Sequence, residues 1–125
     1  MSKYHMIVER TTSGGYATYW ADGAIHSGGK TFEELKSNMV EALNFGLDRE
    51  DITFEDLKLT YDIPSFFEAT PALNAAGLAR EIGMTKSLLS QYISGSKKPS
   101  VAQATRILEG IRAVGRKLAE LDFAF

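Results

Sequence analysis

The stretch from Leu78 to Gly95 constrains this chain more than any other part of it. Two short helices can cross steeply at a tight turn only under three conditions. The residues at the crossing must be small, the turn must admit a left-handed residue, and the shared core must be apolar. Ala79 is small at the crossing, Gly83 permits the turn, and Leu78, Ile82, Met84, Leu89 and Tyr92 fall where the core must be filled. Asn74 is a good N-cap for a first helix over 75–82, Thr85 can cap a second, and Gly95 can end it. The window therefore predicts a helix-turn-helix.

Charge separates this region from the rest of the chain. The net charge of −2 hides six Lys and Arg against twelve Asp and Glu over residues 1–74, a balance of −6. Residues 75–125 hold eight cations and four anions, a balance of +4. A basic half suits phosphate, and an acidic half repels phosphate and attracts a basic protein.

In a helix-turn-helix the second helix enters the major groove by its N-terminal part, so Thr85, Lys86, Ser87, Ser90 and Gln91 are expected to face DNA. Gln91 can read an adenine edge, and Lys86 a guanine or a phosphate. Lys97 and Lys98 follow the helix and suit phosphate contacts, which set position rather than sequence. Taken singly, each of these residues is equally consistent with a solvated surface position. The continuation Gly95-Ser96-Lys97-Lys98-Pro99-Ser100 resembles the Xre-type helix-turn-helix family, in which a basic loop leads into the next helix.

Ser100-Val101-Ala102-Gln103 is a capping-box candidate that opens a last helix, to about Ala119. Ile107, Ile111, Val114, Leu118, Leu121 and Phe125 follow a 4-3-4-3-4 spacing. The part beyond Val114 exceeds what two short helices need for cover. Val114, Leu118, Leu121 and Phe125 are therefore the candidate dimerisation surface, weighed against core packing alone. A homodimer or higher even oligomer is expected independently, because two-fold dimers span palindromic half-sites.

The acidic half reads as strands around one helix. Lys3 to Thr11 alternates and is rich in strand formers, Thr12-Ser13-Gly14-Gly15 is a turn signal, and Tyr16 to Trp20 is aromatic. Asp22-Gly23 should join this strand to a third over Ala24–Ser27. Gly28-Gly29 then releases the chain. Thr31-Phe32-Glu33-Glu34 reads as a capping box, with the Glu34 carboxylate reaching back to the Thr31 amide. Phe32, Leu35, Met39, Ala42 and Leu43 recur at helical spacing, and Gly46 offers a left-handed stop. After an acidic connector, Leu57, Leu59, Tyr61 and Ile63 alternate with Lys58, Thr60 and Asp62 over a last strand. Pro64 and Pro71 bracket a hinge or short helical turn containing Phe66-Phe67. The fold class is α+β: a β-β-β-α-β domain over 1–63, a hinge over 64–74 and an all-α domain over 75–125.

The three-strand meander, the Gly28-Gly29-Lys30-Thr31-Phe32-Glu33-Glu34 helix start and the strand ending Tyr61-Asp62-Ile63-Pro64-Ser65-Phe66-Phe67 resemble the HicB antitoxin family. The resemblance covers nearly the whole chain. It implies a partial ribonuclease H-like domain followed by a DNA-binding domain, in a type II toxin–antitoxin system. It further implies that the acidic domain neutralises a small basic HicA-like, mRNA-cleaving toxin while the other domain represses the operon by binding operator DNA. Asp22, Glu33, Glu34 and Glu41 are the candidate toxin-facing acids. The alternative is an orphan helix-turn-helix regulator whose first domain dimerises or binds a ligand.

No enzymatic activity, catalytic residue, metal or cofactor is expected. True ribonuclease H enzymes bind metal through carboxylates, and Glu9, Glu41 and Asp62 could be drafted for that role. A chain with this many acids offers some in suitable elements by chance, however, and the family implied is non-catalytic. His5 and His26 have no Cys and no His at ligand spacing, and read as strand-surface residues. Gly28-Gly29-Lys30-Thr31 lacks the glycine spacing of a phosphate loop. With no cysteine there can be no disulfide or thiolate site. No apolar run approaches the roughly 18–20 residues that span a bilayer, and the start at Met1 has no signal-peptide pattern. A cytoplasmic, nucleoid-associated protein with no membrane partner is expected.

Overall fold

A computed structural model describes residues 4–125. Lys3, which the alternation placed in the first strand, lies outside these residues, as do Met1 and Ser2. The described chain is mixed α+β, with one four-stranded sheet and five α-helices, and divides into two units, Met1–Ala69 and Thr70–Phe125. No helix among the described residues is long and apolar enough to cross a membrane.

The first unit runs β1 (Tyr4–Arg10), β2 (Tyr16–Trp20), β3 (His26–Gly29), α1 (Phe32–Gly46), a 3₁₀ turn (Phe54–Asp56), β4 (Leu57–Tyr61) and α2 (Ile63–Ala69). The strand order is β3-β2-β1-β4. The first three strands are antiparallel neighbours and β4 runs parallel to β1, so α1 belongs to the crossover between them. Side chains alternate between faces with a period of two, and this decides what is buried. Met6, Val8, Tyr16 and Thr18 turn inward, while Glu9, Ala17 and Tyr19 are exposed. Leu35, Met39 and Leu43, spaced by four along α1, are fully buried in one core with Met6, Val8, Tyr16, Ile52 and Leu57. Each such aliphatic side chain contributes about 1.5–3 kcal/mol of transfer free energy. The buried Thr18 hydroxyl donates to Ile7 O at 2.7 Å, which satisfies that hydroxyl.

Four local details differ from expectation. The third strand begins at His26, two residues late, because the connection from Trp20 closes through Trp20 N donating to Ile25 O at 2.9 Å. Gly28 and Gly29 therefore lie inside β3 and do not release the chain. A Cβ at Gly28 would stand 2.7 Å from Tyr16 O, and one at Gly29 2.7 Å from Leu35 N. The strand approaches both β2 and the first turn of α1 too closely for side chains. At the α1 N-terminus Thr31 Oγ1 accepts from Glu34 N at 3.1 Å, but the Glu34 carboxylate takes the Lys30 amide, at 3.3 Å, in place of that of Thr31. At the other end α1 runs through Gly46, and the left-handed residue is Asp48, at φ 53°. Gly46 is bare for packing, since a Cβ there would meet Ile25 Cδ1 at 2.7 Å.

The stretch expected as a hinge begins as a helix. Asp62 organises it: Oδ1 accepts from Ser65 N at 2.9 Å, Oδ2 accepts from Arg10 N at 2.8 Å, and its carbonyl accepts from Phe66 N at 3.0 Å. Pro64 sits in the first turn of α2, where a missing N–H leaves no helical bond unmade. Arg10 pairs with Glu68 and lies over the Tyr16 ring, which ties α2 to β1.

The second unit consists of α3 (Ala75–Ile82), α4 (Lys86–Ser94) and α5 (Val101–Glu120). Leu78, Ala79, Met84, Leu89, Tyr92 and Ile107 are its buried residues, and Ile82 is half-buried. Gly83 and Gly95 are left-handed, at φ 67° and 81°, and close α3 and α4 respectively. α5 lies so near α3 that a Cβ at Gly110 would collide with Ile82 Cγ2, whereas one at Gly115 would meet nothing within 4 Å. The two glycines of α5 should therefore respond oppositely to alanine. Gly110→Ala is expected to destabilise the second unit by about 1–3 kcal/mol through overpacking, and Gly115→Ala to stabilise it by roughly 0.5–1 kcal/mol. Urea titration of each variant, followed by helical circular dichroism, checks both signs.

Candidate nucleic-acid interface

The sequence of α4 separates two faces. Leu89 and Tyr92 are 1% and 4% exposed and pack inward. Thr85, Lys86, Ser87, Ser90 and Gln91 are all exposed, as are Lys97 and Lys98 in the segment that follows. Thr85 has extended backbone and accepts from Leu88 N at 3.1 Å through its hydroxyl, which fixes where α4 begins. All seven sequence-predicted residues thus stand on one short, solvent-facing stretch of the second unit.

The end of α4 is equally fixed. Gln91 O accepts from Lys97 N at 3.2 Å, from Ser94 Oγ at 3.2 Å and from Ser96 Oγ at 3.3 Å. The two serine hydroxyls also lie 3.1 Å apart. Gln91 is held through its carbonyl while its side chain remains exposed, and the same knot sets where Lys97 leaves the helix. No acidic residue occupies the first turn of α3, α4 or α5, whose caps are the neutral Asn74, Thr85 and Ser100. Their N-terminal positive dipole ends are therefore not offset by side-chain carboxylates.

Sequence reasoning missed Arg106. From α5 its Nη2 donates to Ile82 O at 2.6 Å and to Gly83 O at 3.0 Å, the last carbonyls of α3 and its cap. Nη1 lies 3.4 Å from Gln103 Oε1 on its own helix. A guanidinium at a helix C-terminus satisfies orphan carbonyls and complements the dipole. No local pattern announces a contact 24 residues away. Glu81 and Lys117 add a second α3–α5 link at 3.3 Å.

The dimerisation candidates are split by the end of α5. Val114 is half-buried, Leu118 is 64% exposed, and both lie on the helix. Leu121 and Phe125 do not continue the seam, because the helix stops at Glu120 and Leu121 is extended, at φ −67° and ψ 141°. Asp122 accepts from Phe123 N at 2.8 Å, a local bond that competes with further helix.

The candidate acids of the first unit are exposed but dispersed. Asp22 lies in the β2–β3 connection, Glu33 and Glu34 in the first turn of α1, and Glu41 further along it. Glu33 faces Lys36 at 3.9 Å. The nuclease trio Glu9, Glu41 and Asp62 is not assembled: both Asp62 oxygens accept backbone amides, and Glu9 turns away from the face that α1 covers. Among the described residues no three His, Asp or Glu side chains converge into a metal-holding group. His5 Nε2 and Thr60 Oγ1 are 2.6 Å apart, and Tyr19 and His26 are in ring contact on β2 and β3. Burial pushes the Tyr16 and Tyr61 phenols up, with Arg10 opposing the effect at Tyr16. The bidentate Asp51 carboxylate raises the Arg49 guanidinium further above its ordinary value.

Comparison with family models, with curated proteins and with solved structures finds no match to this chain.

Arg106→Ala should cost the second unit about 1 kcal/mol, the worth of an ordinary hydrogen bond at an exposed site. Its signature should be local. Amide exchange at Gly83 and Met84 is expected to accelerate more than at Leu89, and Arg106→Lys should recover part of the protection.

Proposed function

We propose that the chain is a HicB-type antitoxin: a repressor whose second unit binds operator DNA through α4 and whose acidic first unit holds a small, basic, RNA-cleaving toxin. The observation that carries the DNA half is the polar, acid-free face of α4. Its N-terminal cap, Lys86, Ser87, Ser90 and Gln91 are exposed together above a buried apolar face, with Lys97 and Lys98 directly after it. That arrangement suits a helix-turn-helix whose second helix lies in the major groove. Thr85, Lys86, Ser87, Ser90 and Gln91 would face the groove, and Lys97 and Lys98 the phosphates.

The toxin half rests on charge and on the resemblance of the chain to HicB antitoxins. A protein that grips RNA presents positive charge, and a domain of balance −6 complements it. A two-fold dimer through the end of α5 would present two copies of α4 to palindromic half-sites. The sheet unit would then be a partial ribonuclease H-like fold used for binding without catalysis.

Co-expression of the tagged protein with its neighbouring reading frame tests the toxin half. A basic partner that is toxic alone, silent in the pair and co-purified is expected; without such a partner, the orphan-regulator alternative stands. Mobility shifts on the operon's own promoter test the DNA half. Gln91→Ala should weaken operator binding by about 1–3 kcal/mol and random-DNA binding hardly at all. The double change Lys97→Ala, Lys98→Ala should weaken both alike and flatten the log–log salt dependence by about 2. Equal losses on both DNAs for Gln91→Ala would rule out base reading.

A further inference from the structure

The second unit contains a groove of mixed polar and apolar lining and, after α5, an exposed apolar segment. The groove has a volume of about 590 Å³ and opens between α3 and α5, with Ala72, Leu73, Leu78, Val114 and Leu118 as its apolar lining and Arg80 on its wall. The segment follows α5. Leu121 and Phe123 are 59% and 69% exposed, and Phe125 is fully exposed. These residues alternate with Asp122 and Ala124, so an extended conformation puts all three large side chains on one edge. Among the described residues, Phe123 and Phe125 make ring contact only with each other, at 6.4 Å between centroids.

We propose that residues 121–125 of one copy of the chain occupy the α3–α5 groove of a second copy, reciprocally, so that the dimer is closed by exchange of this segment. The inference rests on the dimeric repressor reading and names how that dimer is made. Three observations favour a second copy over closure within one chain. The groove runs back along α5, since Val114 and Leu118 line it, whereas Leu121 leaves the helix extended and onward. Filling its own groove would require the chain to reverse at once, and residues 121–125 contain no glycine or proline to make that turn. Extended, the five residues reach about 16 Å from the helix end, enough to lie along a neighbouring groove.

Charge fits the same occupant. Asp122 is the sole charged side chain of the segment, and Arg80 on the groove wall makes no ion pair among the described residues. Glu81, the wall's other charge, is already held by Lys117.

The chain has no cysteine, so introduced thiols report without background. Separately tagged Leu73→Cys and Phe123→Cys proteins, mixed and oxidised, should form a disulfide between the two tags. The double variant should form dimers in preference to an internal bridge. In sedimentation, Phe123→Asp should weaken self-association at least tenfold. Its helical circular dichroism and thermal midpoint should be unchanged, since Phe123 is exposed in the single chain. A chain that is monomeric throughout, a dimer indifferent to Phe123→Asp and Phe125→Asp, or a bridge formed only within one chain would each overturn the proposal. So would failure of the mixed pair to cross-link. None of these readouts uses DNA or toxin, so failure of operator binding would sink the functional reading and leave the exchange standing.

Discussion

The polar face of the second unit depends on how α5 holds the C-terminal end of α3. Gly110 removes the one Cβ that would keep the helices apart, Ile82 fills the space, and Arg106 binds the carbonyls at which α3 stops. Those carbonyls belong to Ile82 and the left-handed Gly83, and Thr85, two residues on, caps α4. A shift of α3 against α5 would rotate α4 and every exposed residue on it. The side chains read as DNA-facing are therefore positioned by apolar and carbonyl contacts that none of them makes.

The first unit has an equivalent fixed point in Asp62. One carboxylate holds the β1 amide of Arg10, starts α2 through Ser65 and lies beside the Arg10–Glu68 pair. A residue that could have been drafted as a metal ligand is thereby spent on backbone amides, which are strong, directional partners for a carboxylate. Acidity in this unit is thus of two kinds. Asp62 and Asp56 stabilise local structure, the latter by accepting from the Thr53 amide at 3.0 Å, while Asp22 and Glu41 remain on the surface.

How much was legible in the sequence followed how local each cause is. Caps and core positions were readable because their physics spans three or four residues: Thr31, Asn74, Thr85 and Ser100 each accept from the expected N3 amide. The exposure of Lys86, Ser87, Ser90 and Gln91 was readable for the same reason, since it follows from the period of α4 once Leu89 and Tyr92 are known to be buried. Features set by distant backbone were not readable. Gly28 and Gly29 carry the signature of a loop, yet they are required by the proximity of Tyr16 O and Leu35 N. Gly46 looked like a helix stop and proved to be clearance for Ile25. The 4-3-4-3-4 spacing misled beyond Leu118, because apolar spacing cannot show where a helix ends, and Asp122 bonds its neighbour's amide.

The helix starts of the two units express the charge division most directly. Every α-helix must satisfy its first amides, and α1, α3, α4 and α5 all do so with a neutral side-chain acceptor at the cap. α1 then places Glu33 and Glu34 in its first turn, which offsets its own dipole and turns a negative end to solvent. α3, α4 and α5 place no acid there, which forgoes a few tenths of a kcal/mol to about 1 kcal/mol per helix and leaves each end attractive to anions. If the second unit binds a polyanion as proposed, that ligand would supply the charge that these three helix starts lack.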